Sequence, residues 1–295
     1  MPKMKHILLP VDYTPRTHAA VCYAAVLAGR INALLTLLHV LPPVNPAWEL
    51  AGGGGGGLLV QEALGRQKDD AERKLRAYLA DELRHFEVQR MLAEGDPALT
   101  ILDYAHSKGV DLIVMPTRGC GVFRRFLLGS VTAKVLHDAQ CPVLTTQHAE
   151  DVQPDFGWEL RSILCAVNPG SGDEKTVHWA HRLALLAGAQ LSIVHALPSF
   201  AFRPETYYLE SDIGRVLAQD MRERIEKMLS AAGIVNAPIF IQNGGSVARG
   251  VRSVAQDHRA DLVVIGHSSG NGNSGRLRTD AYAIIRESPC PVVSV

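Results

Sequence analysis

The sequence is poor in the features that would assign it to a specialised class. Its five cysteines, Cys22, Cys120, Cys141, Cys165 and Cys290, are odd in number, far apart and without a C-x-x-C pair. That excludes a disulfide-framework domain and fits a reducing compartment, so a cytoplasmic location is the expectation. Net charge is also lacking: 30 Lys plus Arg balance 30 Asp plus Glu. Nothing therefore steers the chain to nucleic acid or to an anionic membrane surface. No apolar run is long enough to span a bilayer, because Arg30 and Asn32 divide the richest stretch, residues 21–44, and Pro42 and Pro43 close it. Residues 1–12 carry two lysines and a short apolar piece with no small-residue cleavage site behind it, and read as a strand rather than a signal peptide. G-x-S-x-G, Walker A, a Ser-His-Asp order and paired carboxylates on a motif are all missing, so no dedicated catalytic machine is visible. His178 and His181 stand three apart on an expected helix but have no third ligand nearby in sequence, and read as packing or surface histidines rather than a metal site.

What the chain does have is length and repetition. At 295 residues, 47% apolar and 20% charged, it is globular and long enough for two domains. His6-Ile-Leu-Leu-Pro-Val-Asp12 matches Ser162-Ile-Leu-Cys-Ala-Val-Asn168, and Asn32-Ala-Leu-Leu-Thr-Leu-Leu-His39 matches Gly188-Ala-Gln-Leu-Ser-Ile-Val-His195, both at a shift of 156. Asp111-Leu-Ile-Val-Met115 matches Asp261-Leu-Val-Val-Ile265 at a shift of 150, and Cys141-Pro142-Val143-Leu144 matches Cys290-Pro291-Val292-Val293 at 149. Such internal repetition means two copies of one unit, expected as domains 1–149 and 158–295 joined by a polar stretch containing Pro154.

Each copy alternates short apolar runs with helical patterns, the signature of βαβ units feeding a parallel sheet. In copy one the strands are expected at 7–11, 34–41, 88–92, 112–115 and 143–146. Thr14 and Asp96 read as N-caps, with Pro15 and Pro97 at the first helical positions. Ala20, Tyr23, Ala24 and Leu27 form one apolar stripe, and Leu64, Ala71, Leu75, Tyr78, Leu79 and Phe86 a second. Leu99, Leu102 and Ala105 form a third. Copy two repeats the plan with helices at 174–186, 213–229 and 247–256. The run Gly52 to Gly57 reads as a flexible surface linker or flap, since six glycines cannot pack and have high conformational entropy.

In an open parallel sheet, ligands sit beyond the carboxyl ends of the strands, so the loops after strands one and four are the ones to inspect. After strand four, copy one places Gly119 and Gly121 in a loop and Gly129-Ser130 at the opening of the last helix. That helix start can receive an anion, with hydroxyls from Ser130 and Thr132 adding donors. Equally, the segment can be a tight glycine turn followed by a helix capped by Ser130. His39 and His195 recur at the same end of strand two, and Cys141 and Cys290 precede the prolines that open strand five, where small buried thiols are expected.

Both copies resemble the universal stress protein family, in strand plan, in the Val-Asp after strand one and in a loop of the form G-x-x-G-x9-G-[ST]. The resemblance covers almost the whole chain. It implies two tandem Rossmann-like α/β domains of the adenine nucleotide alpha hydrolase type, each a five-stranded, mostly parallel sheet with helices on both faces. It also implies that residues 143–146 and 292–295 pair within the molecule, since single-domain relatives dimerise through their last strands. A further homodimer and an unknown protein partner are compatible with that arrangement.

For function, the resemblance implies an adenine-nucleotide-binding stress-response module, holding ATP or AMP, with or without Mg²⁺, in domain 1. The carry-over puts Asp12 beside the adenosine, Val40 near the base, Gly119 on the ribose and phosphate side, and Gly129 and Ser130 on the phosphates. Thr117, Arg118, Val131 and Thr132 flank those positions. Pro116 stands where the family has its first glycine, which removes one N–H and fixes φ. In copy two only Gly266 survives of the three glycines. Asn168 replaces the aspartate, Thr279 follows an arginine at the helix start, and His267 and Ser269 lie between. An altered or degenerate second site is the expectation. The alternative is a scaffold of the same fold that binds partners and no nucleotide; weak ATP hydrolysis is at most a variant of the first reading.

Overall fold

The computed structural model describes residues 4–43, 56–117, 128–146, 156–169, 173–197, 207–243, 245–266 and 274–295. Copy one runs β1 (His6–Pro10), α1 (Pro15–Ile31), β2 (Leu34–Leu41), α2 (Gly56–Ala77), β3 (Val88–Glu94), α3 (Pro97–Ser107), β4 (Leu112–Pro116), α4 (Ser130–Asp138) and β5 (Val143–Thr146). Copy two runs β6 (Ser162–Ala166), α5 (Glu174–Ala187), β7 (Gln190–Leu197), α6 (Tyr207–Ala231), β8 (Ile239–Asn243), α7 (Val247–Asp257), β9 (Leu262–Ile265), α8 (Ser274–Glu287) and β10 (Val292–Ser294).

The strands form one sheet in the order β3-β2-β1-β4-β5-β10-β9-β6-β7-β8. Among the described residues all pairings within each half are parallel, and the single antiparallel pairing joins β5 to β10. In that junction Val292 pairs with Thr145, Val293 with Leu144 and Ser294 with Val143. Because Leu144 and Val293 are equivalent in the repeat, they lie on the local twofold axis that relates the halves, an isologous contact inside one chain. Each half-sheet thereby covers the edge that the other would expose.

Strand alternation divides the core in two. Ile7 and Leu9 of β1 face a cluster that includes Val21, Ala24, Ala25 and Ala28 of α1 and Val177, Ala180 and Ala184 of α5. Leu8 faces the other side, with Ala98 and Ile101 of α3, Val135 of α4 and Val251 and Val254 of α7. Both clusters contain residues of both copies, so the two halves share their cores. Arg30 adds a polar tie by donating from Nε to the Ala187 carbonyl at 3.0 Å. A repeated device fixes the start of each half-sheet. Asp111 Oδ2 accepts from the amides of Lys5 and His6, and Asp261 Oδ2 accepts from those of Arg161 and Ser162.

Local signals place the helix starts. Thr14 caps α1 by accepting from the Thr17 amide, and Asp96 caps α3 by accepting from that of Leu99, each followed by proline. Three expectations need correction. The buried face of α3 is Ala98, Ile101 and Ala105, while Leu99 is 50% exposed. Helix α2 ends at Ala77, so Tyr78, Leu79 and Phe86 follow it in turns, with Leu79 at φ 50°. Of the glycine run, Gly56 and Gly57 open α2, so the run reaches a helix start, while Gly52 to Gly55 lie outside the described residues.

Candidate functional site

The carboxyl ends of β1, β2 and β4 and the amino end of α4 enclose a cleft of about 250 Å³. It brings together Asp12, Val40, Pro116, Thr117, Gly129, Ser130, Val131 and Thr132, eight of the ten residues singled out in copy one. Arg118 and Gly119 lie outside the described residues, as do Gly121 and the rest of that loop. Arg16, His39, Pro97, Ile101 and Met115 are also among the lining residues.

Asp12 is clamped at the rim. Its Oδ1 accepts from the Thr14 amide at 3.1 Å, from the Thr14 hydroxyl at 2.7 Å and from the Thr17 hydroxyl. The chain turns through Tyr13 at φ 62°, a left-handed conformation costly for an aromatic residue, and this turn brings the Thr14 amide back onto the carboxylate. Tyr13 is held by ring contacts to Tyr78 and His39 and by Lys74 Nζ 4.1 Å above its face. Burial alone would raise the Asp12 pKa, but the hydrogen bonds from Thr17 and Thr14 outweigh it and hold the carboxyl below its ordinary value.

The lowered value has a stability consequence. A carboxyl depressed by folding contributes stability above its unfolded pKa, and the contribution disappears as pH falls through the folded pKa. Asp12→Asn is therefore expected to lower the urea midpoint relative to wild type at pH 6 and to approach wild type in strong acid, below the depressed folded pKa, where both states are protonated. A gap of the same size at both pH values would show that the clamp acts through geometry and not through charge.

Across the cleft, α4 begins at Gly129, which has extended backbone (φ −60°, ψ 148°) and supplies no side-chain cap. Ser130 is the first helical residue, not the cap. The amides of the first turn have no intrahelical partners and carry the positive end of the helix dipole. Thr132 does not add a donor, because its buried hydroxyl donates to the Pro116 carbonyl at 3.2 Å. The Thr117 hydroxyl likewise donates to Thr146 O at 3.0 Å. Pro116 costs the β4–β5 ladder nothing. Ile113 and Thr117 direct their amides toward β5, so strand alternation turns position 116 the other way, at a strand end where proline is tolerated.

His39 serves fold and cleft at once. Its Nδ1 lies 2.8 Å from the Val11 carbonyl. A carbonyl only accepts, so Nδ1 carries a proton, and in the neutral ring Nε2 presents a lone pair. His195 repeats the arrangement on Val167 O at 2.8 Å.

The second cleft, about 400 Å³, lies at the corresponding ends of β6, β7 and β9. Because β5 and β10 run antiparallel, it opens on the opposite edge of the sheet from the first. Asn168 and Gly266 line it, while His267 and Ser269 lie outside the described residues, and Thr279 lies in α8, its side chain outside them. Two lining carboxylates, Asp173 and Asp280, escaped sequence reasoning. Asp173 sits at the cap position of α5 and accepts from the Asn168 amide at 2.5 Å. The available signal was the spacing Asp173-x-x-Thr176, which mirrors Thr14-x-x-Thr17 three residues out of step with the strands.

The four thiols among the described residues are poorly suited to chemistry; Cys120 lies outside them. Cys22, Cys165 and Cys290 are buried and Cys141 is half-buried, all four unbridged. Burial pushes Cys141 up to about 11 and Cys290 up to about 12, far from a nucleophilic thiolate. Among the described residues no helix is long and apolar enough to cross a membrane.

Comparison with known proteins agrees with this anatomy. The profile of the universal stress protein family matches residues 3–147 and again residues 159–295. A universal stress protein of Mycolicibacterium smegmatis is 33% identical over 292 residues, covering 98% of this chain and 96% of its own. Among solved structures, a universal stress protein of Archaeoglobus fulgidus superposes with a TM-score of 0.69 at 20% identity, over 99% of this chain and 96% of that one. A functionally unknown protein of Pseudomonas aeruginosa does so with 0.66 at 22%, over 99% and 92%. At those identities the two structures speak for the fold alone. The tandem profile match and the end-to-end relative carry the assignment further, and the chain belongs to the universal stress protein family, with two such domains in one polypeptide.

Proposed function

We propose that the chain is a stress-response module whose first cleft binds an adenine nucleotide, ATP or AMP, with Mg²⁺ accompanying the triphosphate. The observation that carries this reading is the uncapped start of α4 opening into the same cleft as Asp12 and Val40. Amide donors stand at one end for a phosphate, and Asp12 and His39 Nε2 offer acceptors for hydroxyls and amino groups at the other. Asp12 already takes three hydrogen bonds through one oxygen and has a lowered pKa, so it is a weak general base. That supports binding over turnover, with the nucleotide biasing domain or partner geometry. The same reading places the domains at 1–149 and 158–295 and the protein in the cytoplasm.

One observation favours a scaffold without nucleotide: a cleft of about 250 Å³ is smaller than the roughly 300–1,000 Å³ usual for small-molecule sites. Thermal unfolding with and without millimolar ATP, ADP or AMP and Mg²⁺ separates the two. A saturable rise in midpoint is expected for a ligand that binds only the native state. No rise with any nucleotide, in protein free of co-purified ligand, selects the scaffold.

A further inference from the structure

The second cleft has not simply lost the first one's polar groups; it has exchanged donors for acceptors. In copy one the wall built from the last helix presents unpaired amides at Gly129 and Ser130. In copy two the matching wall presents Asp280, seventh residue of α8 and beyond the four amides that a helix leaves unpaired. Facing the same cavity is Asp173. Its Oδ1 lies 2.6 Å from where a Cβ on Gly266 would stand, with Thr176 Oγ1 3.1 Å from that point. A Cβ at Gly266 would force the carboxylate to shift, so the glycine suits Asp173 in this position. An acidic group stands at this cleft too, supplied from the helix cap rather than from the strand end, beside a threonine that corresponds to Thr17.

A third acceptor stands with them. His195 is 6% exposed and lines the cavity. Its Nδ1 proton is committed to Val167 O at 2.8 Å, which in the neutral ring leaves the Nε2 lone pair without a partner among the described residues. Val194, Val251 and Ile284 supply apolar wall. At about 400 Å³ the cavity falls within the range of small-molecule sites.

We propose that the second cleft is a binding site for an organic cation, an amine or amidinium on an apolar body, whose N–H groups are received by Asp173, Asp280 and His195. Two carboxylates repel a phosphate and stabilise a positive head group held between apolar walls. This inference stands apart from the nucleotide reading of the first cleft.

The test is calorimetric titration of the full chain with benzamidine as probe, benzoate as the shape-matched anion, and AMP read in parallel. Saturable benzamidine binding and none for benzoate are expected. Asp173→Asn keeps an acceptor for the Asn168 amide, and Asp280→Asn changes a side chain that is neither buried nor bonded in the core. Each is expected to weaken benzamidine at least about tenfold, or 1.4 kcal/mol. The proposal is overturned by absence of saturable benzamidine binding at millimolar concentration, by equal binding of benzoate, or by unchanged affinity in both variants. An AMP response that Gly129→Asp removes and the Asp173 and Asp280 variants leave unchanged belongs to the first cleft, so the failure of one reading is not mistaken for that of the other.

Discussion

Val293→Asp is expected to unfold the chain or to cost more than about 4 kcal/mol, a large part of the roughly 5–15 kcal/mol that holds a typical domain together. Val293 is 0% exposed, pairs with Leu144 on one side and Val264 on the other, and belongs to a core cluster that both copies supply. The buried residues described include no Lys or Arg to receive a carboxylate, so the new group must be buried unpaired or the junction must open. Opening would expose two apolar strand edges and invite association between molecules. Val293→Ala, which only shortens the side chain, should cost about 1–3 kcal/mol at roughly 0.8 kcal/mol per methylene plus a cavity term. Urea unfolding followed by circular dichroism, with sedimentation to detect association, measures both. A monomeric Val293→Asp chain with a wild-type midpoint would show that the two halves stand independently.

Gly129→Asp should abolish nucleotide-dependent stabilisation without weakening the fold. At a ligand concentration one hundred times Kd, a native-state ligand adds about 2.7 kcal/mol; the variant is expected to gain almost none of it. The two effects of the substitution have opposite signs, which makes the experiment clean. Gly129 has an extended backbone that any residue adopts and lacks a side-chain cap. An aspartate there can accept from the amides of Val131 or Thr132 and complement the helix dipole, so the ligand-free midpoint should stay level or rise. The same carboxylate occupies the place proposed for phosphate and repels it. A variant that keeps the full nucleotide response would remove phosphate from the start of α4.

How much of this could be read beforehand depended on how local the signal was. The caps Thr14 and Asp96, each followed by proline, are three-residue patterns and appear in the structure as expected. The strands of copy one stand within two residues of their expected ends, because apolar runs buried on both faces have few alternatives. The phase of α3 was misread because a leucine at 99 outweighs the alanines that pack where a helix lies close to the sheet. The length of α2 was misread because apolar residues continue past Ala77 into turns that also pack on the core. In the sites, aligning strands assigned Asn168 to the place of Asp12 and stopped there. The compensating Asp173 arrives from a loop three residues longer, and the Asp12–Thr17 clamp spans five positions and a left-handed residue, neither of which has a sequence period.

The pairing of Leu144 with Val293 has a consequence for change over time. Were the same junction made by two separate identical chains, every substitution would appear on both sides at once, and no cleft could alter without its twin. Joining the copies in one polypeptide removes that coupling. The seam can stay nearly self-matching, as two adjacent apolar residues, while Asp12 stands at one mouth and Asn168, Asp173 and Asp280 stand at the other. Two halves in one chain are thereby free to present different groups at their two mouths.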